Sequence, residues 1–93
     1  MTIHELKIKT EYFLKILEGK KTFELRKEDD RSFREGDLIH FRILATTLLG
    51  KDWIMETDPH LFKITYVLRN VPEYGLKEGY AILGINEVNL NDN

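Results

Sequence analysis

The chain has 93 residues, 42% of them hydrophobic and 32% charged, with a formal net charge of −2 and no cysteine. This is the composition of one ordinary globular domain. It leaves no disulfide, thiolate metal site or cysteine nucleophile, and it lacks the basic excess of proteins that coat nucleic acid nonspecifically. No apolar run approaches the roughly 20 residues that span a bilayer, and Met1–Glu5 shows no basic segment followed by an apolar one, so a cytoplasmic location without membrane contact is expected.

In chain order, Ile3 to Ile8 alternates and reads as a first strand, Ile3, Glu5 and Lys7 against His4, Leu6 and Ile8. Thr10 is placed to cap a helix, Glu11 supplies negative charge in its first turn, and Tyr12, Phe13, Ile16 and Leu17 recur at helical spacing. Gly19 stops this short helix, because glycine most easily takes the left-handed conformation after a last turn. From Thr22 a second strand is predicted, with Phe23 and Leu25 on one face and Thr22, Glu24 and Arg26 on the other. Lys27 to Glu35 reads as a polar surface loop around Phe33, and Gly36-Asp37 as a turn.

Leu38 to Leu44 alternates again, with Ile39, Phe41 and Ile43 opposed to His40 and Arg42. Thr46 to His60 fits a long loop, a hairpin arm or a short helix, and is treated as a variable insertion at residues 46–60. Leu61 to Arg69 is strand-like, with Phe62, Ile64, Tyr66 and Leu68 on one side. Asn70 to Gly79 is loop with Leu76 as anchor. Tyr80 to Val88 forms a last strand with Ala81, Leu83 and Ile85 inward, and Asn89 to Asn93 a frayed polar tail. The expected fold is α+β: a single domain over residues 1–93, a small mixed or antiparallel β-barrel with one early short helix packed at its end.

Chemistry concentrates at Gly19–Arg26. Residues two apart on a strand face are about 7 Å from each other, so Glu24 and Arg26 either grip one small polar group together or pair with each other, with Lys21 entering from the turn. A fork of donors, a point charge and a carboxylate in one place suit a nucleobase better than a phosphate alone. The alternative is an edge strand whose outward face is polar for solubility. His4, His40 and His60 share no metal-ligand spacing, so no metal and no cofactor is expected; His4 reads as a hydrogen-bonded core-edge residue and His40 as solvated. Tyr12, Trp53, Tyr66, Tyr74 and Tyr80 are candidates for stacking on bases, with packing as the alternative role.

Gly19-Lys20-Lys21-Thr22-Phe23-Glu24-Leu25-Arg26 matches the Gly-x-Lys-x-x-Glu-x-Arg signature of ASCH domains, a PUA-like group of small β-barrels. With His4-Glu5-Leu6-Lys7, Tyr12-Phe13, Arg31-x-Phe33-x-x-Gly36-Asp37 and Gly75-Leu76-x-x-Gly79-Tyr80, the chain resembles the bacterial and phage family DUF3850 nearly throughout, except about residues 45 to 60. The resemblance implies an RNA or nucleotide partner in a cleft lined by Lys21, Glu24 and Arg26, with Gly19 letting the backbone turn into it; beside it, Arg31, His40 and Arg42 are expected as charged rim contacts and Gly36 and Gly79 as structural glycines. Some small ASCH proteins are instead similar to amidohydrolases of acetylated cytidine that use a lysine, a threonine and a glutamate. Lys21 matches their lysine, but their threonine position holds Glu24, leaving Thr22 as the substitute in a catalytic set of Lys21, Thr22 and Glu24. A third possibility is an interaction domain without ligand, in which Glu24 and Arg26 form a structural ion pair. Oligomeric state is left open.

Overall fold

A computed structural model describes residues 1–88; the tail expected over Asn89 to Asn93 lies outside them. Five strands, β1 (Ile3–Lys9), β2 (Phe23–Lys27), β3 (Leu38–Thr46), β4 (Asp52–Leu68) and β5 (Tyr80–Val88), form one mixed sheet in the order β1-β3-β4-β5-β2. β1 runs parallel to β3, and the remaining pairs are antiparallel. The α+β class holds, but the sheet is not closed into the expected barrel. β1 and β2 stay as its two edges, and no backbone ladder joins them. Side chains span the seam instead: Arg26 donates to the Lys7 carbonyl at 2.7 Å and Arg31 to the Glu5 carbonyl at 3.3 Å. The sheet therefore curls until its edges face each other across a gap of one side chain.

Alternation sends His4, Leu6 and Ile8 of β1, Ile39, Phe41 and Ile43 of β3, Phe62 and Ile64 of β4, and Ala81, Leu83 and Ile85 of β5 to the inner face, where all are buried. The helix α1 (Thr10–Leu17) lies over this face beside β1 and β3. Its Phe13 ring meets Phe41 edge-on at 6.0 Å, and Phe41 in turn meets Phe62 at 5.4 Å. Tyr12 and Leu17, expected on the apolar stripe, stay about half exposed. Thr10 does not cap the helix. Lys9 occupies that position without a side-chain bond, and the Thr10 hydroxyl donates to the Leu44 carbonyl at 2.7 Å, tying the helix start to β3. Gly19 ends the helix as expected, at φ 76°, which turns the amides of Lys20 and Lys21 back onto the Lys15 carbonyl at 3.0 Å each.

Three stretches depart from simple patterning. Within the polar loop at residues 28–37, Phe33 is only 1% exposed. Glu28 holds it there, accepting from the Phe33 amide at 2.9 Å and from Arg69 at 2.7 and 3.0 Å, while Arg69 also donates to the Phe33 carbonyl at 2.6 Å. Residues 46–60 prove to be a hairpin arm. β3 and β4 run on past the rest of the sheet to a turn where the Thr47 amide bonds the Lys51 carbonyl at 2.8 Å. Pro59 sits in β4 just before its pairing with β5 begins at Leu61, so its missing N–H breaks no β5 ladder bond. Finally, a bulge between Ile64 and Tyr66 resets the alternation of β4, so Tyr66 faces solvent rather than sharing the side of Ile64, and Val67 packs on the core.

Candidate functional site

β2 is the wall of the site, and its polarity decides the chemistry. Glu24 pairs with Leu83 and Arg26 with Ala81, both core positions, so these polar side chains point to the inner side; Phe23 and Leu25 point out and are 46% and 54% exposed. An edge strand made polar for solubility would show the opposite. Glu24 is 4% exposed and is held between two cations. Lys21 pairs with one carboxylate oxygen and also donates to the Phe23 carbonyl at 2.6 Å. Arg26 donates from Nε to the other oxygen at 2.8 Å and from a terminal nitrogen to Lys7 across the seam. A buried carboxylate needs this degree of compensation. The triad is thus one preorganised unit that fixes both cations at the junction of β2 and β1.

Around it opens a cleft of about 630 Å³ between β1, α1 and β2. Lys7 and Lys9 contribute from β1, Lys15 from α1, Lys20 and Lys21 from the turn, and Arg26 from β2; Glu24 is the one acid in the lining, and Tyr12, Phe23 and Leu25 supply apolar surface. In a chain of net charge −2, this concentrates positive potential at one place. Lys15 and Lys20 share Glu18 at 3.3 and 3.4 Å, an exposed carboxylate at the helix end. Such surface pairs are weak and yield readily to a ligand anion.

Of the residues expected from sequence, Lys21, Glu24 and Arg26 are brought together. Arg31, His40 and Arg42 are not. Arg31 pairs with Asp30 at 3.3 Å and bridges the seam further along β1. Arg42 binds Glu5 at 2.7 Å, and His40 stands 3.9 Å from the same carboxylate, both one strand away from the cleft. Thr22 lines a smaller hollow with Leu17, Phe62 and Asn86; Lys21 borders both this hollow and the cleft, whereas Glu24 borders only the cleft, so Thr22 and Glu24 do not share one cavity. Trp53 lies on the hairpin arm and does not fill the cleft. Gly36 and Gly79 take left-handed backbone conformations, with φ of 90° and 87°.

Sequence reasoning missed Lys7, Lys9, Lys15 and Lys20 as lining residues, and named Tyr12 only among five aromatic candidates for stacking. Their periodicity was readable, but only the pairing order shows that β1 and β2 are opposite edges folded face to face. The histidines behave structurally. His4, 5% exposed, bonds Asp37 at 2.8 Å and lies 4.8 Å from the Phe33 ring. His60 is raised above its ordinary value by the hydrogen bond and charge of Asp58, at the base of the arm and away from the cleft. Among the described residues no group of His, Asp or Glu side chains is arranged to hold a metal ion.

No curated protein matches the sequence. The model of a domain of unknown function, DUF3850, matches residues 3–85, which takes in all of β1, α1, β2, β3 and β4 and the signature around Glu24; the chain belongs to the DUF3850 family.

Proposed function

We propose that the protein is a PUA-like module that binds RNA or a nucleotide in the cleft between β1, α1 and β2. The observation that carries this reading is the cleft lining. Five lysines and Arg26 surround a single, already neutralised carboxylate, next to the rings of Tyr12 and Phe23. Phosphates are attracted to such a set of cations, and exposed rings accept base faces. Lys21 and Arg26 are positioned by Glu24 before any ligand arrives, so little ordering cost falls on binding. The hydrolase reading gains no support from this geometry, because the Lys21 ammonium is ion-paired with Glu24 and Thr22 does not line the cleft.

The test is a titration of the isotope-labelled chain with a short oligouridylate, read by amide chemical shifts. Changes centred on Lys7–Lys9 and Lys20–Arg26 are the expected outcome. An absence of shifts, or shifts confined to the hairpin arm, contradicts the proposal.

A further inference from the structure

The outer face of the sheet continues the cleft. Antiparallel partners project to the same side, and Phe23 pairs with Gly84, which pairs on its other side with Tyr66; in the next row Leu25 pairs with Ile82 and Ile82 with Leu68. Phe23 and Tyr66 are 46% and 57% exposed. They stand two strand spacings apart, about 10 Å, and the residue between them in the row, Gly84, has no side chain of its own. A Cβ there would lie 2.8 Å from the Thr65 hydroxyl oxygen, so the Thr65 hydroxyl sits at this same point of the face. The result is a shallow trough with an aromatic ring on each bank and a hydroxyl at its floor. Phe23 and Leu25 also line the cleft, and the Lys21 ammonium lies 5.0 Å from the Phe23 ring centroid, so the two surfaces are continuous.

We infer that this face is a base-stacking platform for single-stranded nucleic acid, an inference that rests on the cleft holding phosphates of the same strand. Two features favour a polyanion with planar groups as the occupant. The outer-face rows paired across β2, β5 and β4 include Lys27 and Lys63 and no carboxylate, Glu24 and Glu87 falling in the rows of the other face, although the chain has 16 acidic residues. The exposed rings also begin at the basic cleft, where a strand anchored by its phosphates has its bases free to spread. Gly84 is the specificity element. It lets the Thr65 hydroxyl stand over the sheet between Phe23 and Tyr66, where the hydroxyl is at hand for a base edge.

The experiment is fluorescence anisotropy of an oligouridylate octamer with the full chain, the Tyr66→Ala and Tyr66→Phe variants, and a cleft variant, Lys9→Ala with Lys20→Ala, each across a salt series. Base stacking on one aromatic ring is typically reflected in a loss of fivefold or more on removal. Tyr66→Ala is therefore expected to weaken binding about fivefold or more with the salt dependence unchanged, and Tyr66→Phe to retain affinity. The cleft variant is expected to change the salt dependence. Octamer binding unaltered in Tyr66→Ala overturns the platform alone and leaves the face to a protein partner. No octamer binding by the unsubstituted chain overturns the cleft reading and the platform with it.

Discussion

The Arg26 guanidinium donates to the Lys7 carbonyl at 2.7 Å while its Nε binds Glu24 at 2.8 Å, so one side chain both fixes the buried carboxylate and fastens the two open edges of the sheet. Site and fold are coupled through this residue. Arg26→Ala should leave a buried Glu24 oxygen without its partner, a loss of about 1–3 kcal/mol, while the exposed Lys7 carbonyl turns to water. Denaturant unfolding is expected to show a loss of that order. Arg26→Lys is expected to recover only part of it, because an ammonium lacks the planar fork that serves both acceptors. Equal stability of Arg26→Ala and the unsubstituted chain would contradict the clasp.

Phe33 gives a second prediction. It is 1% exposed, in a loop whose neighbours are polar, and is tied by Glu28 and Arg69. Truncation of a buried phenylalanine costs about 3–5 kcal/mol. Phe33→Ala should therefore destabilise the domain by that amount in chemical unfolding, whereas Ser32→Ala, on the same loop, should change little. A surface role for the loop would make the two substitutions alike.

Acid stability follows from Glu28 and Asp37. The Arg69 hydrogen bond holds Glu28 below its ordinary 4.5. Burial pushes Asp37 up, but hydrogen bonds from His4 and from the Thr2 and Arg34 amides outweigh it and leave the carboxyl below 3.8. Both folded values lie beneath the unfolded ones, so each group's contribution is complete above about pH 4.5 and is lost as pH falls through the folded value. Melting temperature should be flat with respect to these groups at neutral pH and fall below about pH 4. Glu28→Gln should lower the neutral plateau and make the acid limb shallower. A parallel shift of the whole curve would contradict the assignment.

Much of this was legible from residue order alone. The buried faces of β3 and β5 follow from strict alternation, whereas β1 alternates without showing which face is inward, and Gly19 marks the helix end. The Lys21, Glu24 and Arg26 cluster follows from strand period and turn chemistry, and the resemblance to DUF3850 matched the family. What was not legible depends on partners distant in sequence. Alternation puts Glu24 and Arg26 on one face, but not whether that face is inside; only the pairing of β2 with core positions Leu83 and Ala81 decides it. The bulge that turns Tyr66 outward requires knowing that Gly84 lies opposite. Closure into a barrel was expected from a count of short strands, which says nothing about which strands become edges. Arg31, His40 and Arg42 were drawn to the rim by charge, yet Glu5 and Asp30 hold them elsewhere.

The most direct test of the basic cleft is the salt dependence of oligouridylate affinity, compared between the full chain and the Lys9→Ala, Lys20→Ala double variant. Both lysines lie on the cleft surface and neither takes part in the Glu24 triad, so folding is expected to survive their removal. Each phosphate contact with a single strand contributes about 0.7 to the slope of log affinity against log salt. Loss of two such contacts should therefore flatten the slope by about 1.4 and weaken binding most at low salt. Identical slopes for the two proteins, or no affinity in either, would contradict a cleft that holds the phosphate backbone.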